Sequence, residues 1–279
     1  MERLQAAIER ARRERDAREG VEGPPAREAE DRAQAAPPAH SLGDRSERWD
    51  ALRPLPEDPK RNHRLRGAPQ YQAEAAYNLL RTRLLQQAQS NGWRRVGIVS
   101  PHGGCGKSTV AANLALSLAR QTDVRALVLD LDLRRIGLSK AIDVRPSTGM
   151  ASVLEGSAPF AEAAYRLGQG IALGLNGTPH PAPAELIQSR AALSALERME
   201  ADYAADLVLV DLPPLFSTDD NQGFLPRLDA AMIVIGADQT SLSQVDAAER
   251  EVAGLTSVMG VVLNKCRYRD PEHGFDYDY

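Results

Sequence analysis

A glycine-dense run between two apolar segments restricts the possible folds of this chain severely. The run reads Ser100-Pro101-His102-Gly103-Gly104-Cys105-Gly106-Lys107-Ser108-Thr109. An apolar stretch at 96–99 precedes it, and an alanine-rich stretch with leucines at helical spacing follows it, so the order predicts a strand, a turn and a helix. Glycines let successive backbone N–H groups point into one anion pocket, and a helix N-terminus adds positive potential there. The run therefore predicts a loop that binds the phosphates of ATP.

The residues expected to contact the nucleotide lie in the second part of this loop. They are Gly103, Gly104, Cys105, Gly106, Lys107, Ser108 and Thr109. Lys107 is expected to reach the β- and γ-phosphates, and the Ser108 hydroxyl is expected to hold Mg²⁺. The strict phosphate-loop pattern has glycine where Pro101 stands, so a glycine-rich turn without a ligand is the alternative interpretation.

The composition favours a protein with one α/β core that resides in a reducing compartment. The chain has 279 residues, 43% of them hydrophobic, and a net charge of −4, which argues against a nucleic-acid partner. No run approaches the roughly 18 apolar residues of a membrane span, and the charged first residues do not form a signal-peptide core. We expect a cytoplasmic protein that reaches the inner membrane only through a partner. Its two cysteines, Cys105 and Cys266, do not make a disulfide framework.

The chain divides into four predicted segments. Residues 1–19 form a short amphipathic helix, residues 20–69 a disordered linker rich in proline and charge, residues 70–265 the phosphate-loop domain, and residues 266–279 a tyrosine-bearing tail. A helix is expected to begin near Gln70 and to stop at Asn91-Gly92. Apolar runs at 126–129, 171–173, 207–210, 231–235 and 258–263 alternate with helical stretches. They predict an α/β fold with a doubly wound, mainly parallel sheet, as in P-loop NTPases.

Three aspartates follow two of these apolar runs. Asp130 and Asp132 are expected to face the same way at the carboxyl edge of the sheet, and Asp211 ends the run at 207–210. Each alone fits a polar strand end or a helix cap, but together with the phosphate loop they predict a Mg²⁺ site formed by Ser108, Asp130 and Asp211. We expect Lys107, Asp130 and Asp132 to be the catalytic residues.

Asn264 follows the last apolar run and bears on the choice of base. A GTPase has an aspartate three positions later, where this chain has Arg267, so guanine is disfavoured. The Asn264 amide can both donate to and accept from adenine, or it can cap its own turn. Asn264 is therefore a predicted nucleotide contact.

Four motifs occur in a fixed order along residues 70–279. They are Asp130, Asp132 and Arg134; Pro179, Pro181 and Pro183 before Glu185 and Leu186; Asp211, Pro213 and Pro214; and Leu263, Asn264 and Lys265. This ordered set resembles the bacterial tyrosine kinases, the Walker-type autokinases of capsule and exopolysaccharide biosynthesis. The N-terminal helix and linker are similar to those of the soluble autokinases that accompany exosortase-type loci.

This resemblance implies ATP- and Mg²⁺-dependent autophosphorylation on the C-terminal tail. The acceptor candidates are Tyr268, Tyr277 and Tyr279, which taken alone would be a solvated tail. It also implies a membrane chain-length determinant, or polysaccharide co-polymerase, as partner, and assembly into a homo-oligomer. The family's self-association motif, Glu-x-x-Arg-x-x-Arg, is replaced here by Ala75, Asn78 and Arg81.

Two other functions fit the same motifs. A Min- or Par-type ATPase has the same fold, but its signature lysine is His102 in this chain, and a histidine is shorter and mostly neutral at pH 7. An ATP-binding regulator of polysaccharide export that transfers no phosphate is the second alternative.

Overall fold

A computed structural model describes residues 47–56 and 70–266. The helices are α1 (Gln70–Asn91), α2 (Lys107–Leu118), α3 (Gly137–Ile142), α4 (Met150–Glu155), α5 (Phe160–Ala163), α6 (Pro183–Gln188), α7 (Arg190–Tyr203), α8 (Asp220–Phe224) and α9 (Leu242–Ala253). The strands are β1 (Arg53–Pro54), β2 (Arg95–Val99), β3 (Ala126–Asp130), β4 (Ala164–Leu167), β5 (Ile171–Gly174), β6 (Leu207–Asp211), β7 (Ala230–Gly236) and β8 (Ser257–Asn264). Within this part of the chain, no helix is both long and apolar enough to cross a membrane.

The described strands form one eight-stranded sheet in the order β1-β4-β5-β3-β6-β2-β7-β8. From β5 to β8 all neighbours are parallel, whereas β4 runs antiparallel to β5. This confirms the predicted doubly wound, mainly parallel sheet. The sequence did not reveal β4 and β1, because β4 carries polar residues and β1 is two residues long and contains a proline.

The central strands are buried on both faces of the sheet. In β3, Leu127 and Leu129 enter one hydrophobic core, while Ala126 and Val128 enter the other. Burial on both faces explains the continuous apolar runs of the sequence. Polar groups are therefore expected at the carboxyl ends of the strands. There Asp130 of β3 pairs in register with Asp211 of β6.

Helix α1 is fastened to α2 by polar side chains. It begins at Gln70 and ends at Asn91, as predicted, and Gly92 follows with φ 68°. An Arg81 N–H donates to the Ser117 carbonyl over 2.9 Å, and the Asn78 amide oxygen accepts from the Ser117 hydroxyl over 2.7 Å. Asn78 and Arg81, two of the three residues at the positions of the family's self-association motif, therefore form hydrogen bonds within the chain.

Residues 47–56 do not behave as the predicted linker. Trp49 and Leu52 are only 3% and 1% exposed, and the Trp49 indole N–H donates to the Tyr203 carbonyl over 3.1 Å. The segment belongs to the same unit as the sheet and adds β1 beside β4. The linker prediction is wrong here because Trp49 and Leu52 pack into a core that distant residues form, while the surrounding composition is polar. The predicted helix at 1–19 and the rest of the linker lie outside the described residues.

We expect Trp49→Ala to destabilise the protein by about 3–5 kcal/mol, because truncation of a buried aromatic side chain leaves a cavity. Urea unfolding followed by circular dichroism measures the change. Arg53→Ala is the matched control, since Arg53 is exposed in the same segment and its loss is expected to cost less than about 0.5 kcal/mol. Equal unfolding midpoints for the two variants would contradict the docking of this segment.

Candidate functional site

The glycine-rich run forms a loop between β2 and α2, as predicted. Gly104 and Gly106 have φ values of 90° and 92°, a region that glycine adopts at little cost. A Cβ atom on Gly106 would collide with the Asn264 amide nitrogen, and one on Gly103 would collide with the Arg135 guanidinium. The loop therefore needs glycine at Gly106 for its conformation, whereas an added Cβ at Gly103 would displace the end of the Arg135 side chain.

Asn264, the last residue of β8, forms a hydrogen bond with this loop. Its amide nitrogen donates to the Cys105 carbonyl over 3.0 Å. The Asn264 side chain thus bonds to the backbone of the loop. Its expected contact with the adenine base stays a prediction.

Lys107, the first residue of α2, lies among carboxylates. Its ammonium nitrogen is 2.8 Å from Asp132 Oδ2 and 3.4 Å from Asp211 Oδ1. The Ser108 hydroxyl oxygen is 3.5 Å from the same nitrogen. Burial alone would lower the pKa of Lys107, but the charges of Asp211 and Asp132 outweigh it and raise the pKa above its ordinary value. Lys107 is therefore a fixed cation at the start of the helix.

Asp130 and Asp211 are fully buried on neighbouring strands. Asp130 Oδ2 accepts from the Ser139 backbone N–H over 3.3 Å and from its hydroxyl over 3.4 Å. Burial, reinforced by the charge of Asp211, raises the pKa of Asp130 well above its ordinary value. Burial also raises the pKa of Asp211, although the charge of Lys107 opposes this.

Buried oxygens of these carboxylates fit a bound Mg²⁺ ion. Within the described residues, Asp130 Oδ1 and Asp211 Oδ2 are buried without a hydrogen bond, and Asp211 Oδ1 has the ion pair with Lys107 at 3.4 Å. The Ser108 hydroxyl lies beside them, because Gly137 has no Cβ that would collide with it. Across residues 47–56 and 70–266, no three His, Cys, Asp or Glu side chains form a ready set of metal ligands. An ion here would thus use Ser108, phosphate and water, with the carboxylates orienting the water.

We expect Asp130→Asn to raise the melting temperature of the nucleotide-free protein in EDTA by about 2–4 °C near pH 8, or ~1 kcal/mol. Because the folded pKa of Asp130 is raised, the unfolded chain releases this proton first as pH rises above the ordinary value of 3.8. The free energy of unfolding of the wild type therefore falls as pH rises from 3.8 to the folded pKa of Asp130. Asp130→Asn has no carboxyl group at this position and does not lose this stability.

Differential scanning calorimetry at several pH values measures this effect. The gap between variant and wild type is expected to close below pH 3.8, where the carboxyl group is protonated in both states. Asp123→Asn, at an exposed position, is the control and is expected to leave the melting temperature unchanged. A gap that does not depend on pH would contradict the assignment.

Sequence reasoning missed the residues that hold Asp130. The Asn176 amide nitrogen donates to the Asp130 carbonyl over 2.6 Å, and the Asn176 backbone N–H donates to the Ser139 hydroxyl over 2.9 Å. Asn176 comes two residues after β5, so the strand-end rule that found Asp211 could have found it as well. Ser139 lies in the short helix α3 and gave no such signal.

Arg134 connects the two acidic strand ends. Its guanidinium makes two hydrogen bonds, of 2.8 and 2.9 Å, to the carboxylate of Asp220, which is 1% exposed. The Thr218 hydroxyl donates to the same carboxylate over 2.9 Å. The turn after Asp132 is thereby tied to the loop that follows Asp211.

His102 is engaged within its own chain. Its Nδ1 lies 3.5 Å from Cys105 Sγ, and its Nε2 lies 3.2 Å from the Thr240 hydroxyl oxygen. The acceptor candidates Tyr268, Tyr277 and Tyr279 lie outside the described residues.

A phosphate loop, a buried lysine and strand-end carboxylates on a mainly parallel sheet define a P-loop nucleotide-binding protein. Residues 96–276 match the model of the CobQ/CobB/MinD/ParA nucleotide binding domain, and the chain belongs to this family.

Curated relatives carry the names of tyrosine kinases and of a polysaccharide transport protein. Tyrosine-protein kinase YwqD of Bacillus subtilis (strain 168) is 29% identical over 202 residues, which cover 71% of this chain and 84% of YwqD. Succinoglycan biosynthesis transport protein ExoP of Rhizobium meliloti (strain 1021) is 32% identical over 191 residues, but these cover 66% of this chain and only 24% of ExoP.

Solved structures share the fold. The kinase domain of Escherichia coli tyrosine kinase ETK aligns with a TM-score of 0.62 and 24% identity, over 74% of this chain and 80% of that chain. The septum site-determining protein MinD of Pyrococcus horikoshii OT3, complexed with Mg-ADP, aligns with a TM-score of 0.52 and 21% identity, over 64% and 74% of the two chains. At these identities the alignments establish the fold alone.

Proposed function

We propose that this chain is an ATP-dependent protein-tyrosine autokinase that transfers the γ-phosphate to Tyr268, Tyr277 or Tyr279 of its C-terminal tail. The observation that carries the proposal is the position of Lys107, whose ammonium group lies at a glycine-lined phosphate loop between Asp132 and Asp211. The kinase names of relatives such as YwqD support it.

In the proposed reaction, the tyrosine oxygen forms a bond to the γ-phosphorus, and the bond between this phosphorus and the bridging oxygen of ADP breaks. The loop amides and Lys107 stabilise the negative charge on the phosphates. Asp130 or Asp132 accepts the tyrosine proton, since both carboxylates lie beside Lys107 at the carboxyl edge of the sheet. Mg²⁺, when held by Ser108 and water next to Asp130 and Asp211, supplies further charge neutralisation.

We further propose a role in the polymerisation and export of capsule or exopolysaccharide. The name of ExoP, a succinoglycan biosynthesis transport protein, supports this role. The partner would be a membrane chain-length determinant or polysaccharide co-polymerase, which would bring a cytoplasmic kinase to the inner membrane. Phosphorylation in trans, between the subunits of a homo-oligomer, would let one tail reach a neighbouring site.

Phosphosite mapping by mass spectrometry, after incubation of the full chain with Mg²⁺ and ATP, tests the kinase proposal. We expect phosphotyrosine in the tail of the wild type and none in Lys107→Met. Replacement of all three tail tyrosines by phenylalanine should remove the signal. Release of free phosphate without phosphotyrosine would instead indicate a Min- or Par-type ATPase, and neither product would indicate an ATP-binding regulator.

A further inference from the structure

Two adjacent arginines follow Asp132, and their side chains differ in what they contact. Nε and Nη2 of Arg134 both donate to the Asp220 carboxylate. Arg135 is exposed, and its guanidinium has neither a hydrogen bond nor an ion pair within residues 47–56 and 70–266. That guanidinium lies directly against Gly103 of the phosphate loop.

The contact at Gly103 involves the end of the Arg135 side chain. Gly103 is not among the residues with positive φ, so its backbone does not require glycine. A Cβ atom here would meet Nη1, Cζ and Nη2 of Arg135, and these are the three nearest atoms to it. The Arg135 guanidinium therefore lies against the backbone of the phosphate loop at Gly103.

The backbone around Arg135 is fixed relative to the site. The Arg135 N–H donates to Asp132 Oδ1 over 3.1 Å, and the Ile136 N–H donates to the Asp132 carbonyl over 2.9 Å. Ile136 has φ 47°, which closes the turn. Asp132 also binds Lys107, so the Arg135 backbone lies near this lysine. In phosphate loops this lysine contacts the β- and γ-phosphates.

The charges at the site favour the presence of another cation when a nucleotide is bound. Lys107 is shared between two carboxylates, and His102, at the position of the signature lysine of Min- and Par-type ATPases, contacts Cys105 and Thr240. A triphosphate with Mg²⁺ bound still carries negative charge that Lys107 alone does not balance, and arginine suits phosphate oxygens because it donates two parallel hydrogen bonds.

We propose that Arg135 contacts the γ-phosphate of the bound nucleotide and thereby distinguishes ATP from ADP. This inference rests on the proposed nucleotide binding but not on the transfer of phosphate to tyrosine. Arg134, by contrast, positions the turn from which Arg135 extends.

Isothermal titration calorimetry with Mg²⁺ and either ADP or a non-hydrolysable ATP analogue tests the proposal. We expect Arg135→Ala to weaken binding of the analogue about 10-fold or more and binding of ADP less than about twofold. Arg135→Lys should recover part of the loss, because it keeps the charge but not the paired donors. Lys140→Ala removes an equal charge from an exposed position of α3 and should change neither affinity.

Equal weakening of both ligands, or no weakening of either, in Arg135→Ala would overturn the role of Arg135. A wild type that binds both nucleotides but forms no phosphotyrosine would overturn the kinase proposal and leave the ratio of the two affinities as a test of Arg135. A folded wild type that binds neither ligand would overturn both.

Discussion

Lys107→Met is expected to lower the rate of ATP-dependent tyrosine phosphorylation about 100- to 1,000-fold or more, to the background of the assay. The ammonium group is buried beside Asp132 and Asp211, and methionine fills much of the same volume without the charge. Transfer of ³²P from γ-labelled ATP to the full chain measures the effect.

The same substitution leaves buried carboxylates without their cation, so its effect on folding must be measured separately. Circular dichroism of the same preparation shows whether Lys107→Met is folded at the assay temperature. Lys140→Met is the matched control, because this lysine is exposed and its variant should label at the rate of the wild type. Labelling of folded Lys107→Met at more than half the wild-type rate would contradict the mechanism.

Gly106→Ala is expected to weaken nucleotide binding about 100-fold or more. Gly106 has φ 92°, and an added Cβ would collide with the Asn264 amide that donates to the Cys105 carbonyl. A non-glycine residue in this region also strains the backbone by about 1–2 kcal/mol. The collision moves the loop, and the moved amides no longer point into one pocket.

Titration calorimetry with Mg²⁺ and ADP measures this loss. Gly156→Ala is the matched control, since Gly156 has φ 78°, its added Cβ would meet nothing within 4 Å, and it ends α4 rather than forming part of the loop. This control should lose a similar amount of stability but no affinity for nucleotide. Wild-type affinity in Gly106→Ala would contradict the predicted shape of the binding loop.

The parts of the site that follow local rules were predictable from the sequence. A phosphate loop is one continuous segment, and its glycines, lysine and hydroxyl were recognisable together with the flanking apolar strand and helix, although Pro101 breaks the strict pattern. Asp130 and Asp211 were predictable because each ends an apolar run, and parallel strands end at the same edge of a sheet.

The parts that depend on distant pairing were not predictable in this way. Arg134 and Asp220 are 86 positions apart, and neither residue type specifies the other. The burial of Trp49 requires the carbonyl of Tyr203, which is 154 positions away. The contact of Arg135 with Gly103 likewise arises only when the turn after β3 is placed beside the loop after β2.

Calorimetric titration of the folded, full-length chain with Mg²⁺ and a non-hydrolysable ATP analogue tests the nucleotide site most directly. We predict saturable binding at one site per chain, weaker binding when EDTA replaces Mg²⁺, and no detectable binding to Lys107→Met. Absence of binding to the folded wild type, or equal binding by wild type and Lys107→Met, would contradict the assignment of this site.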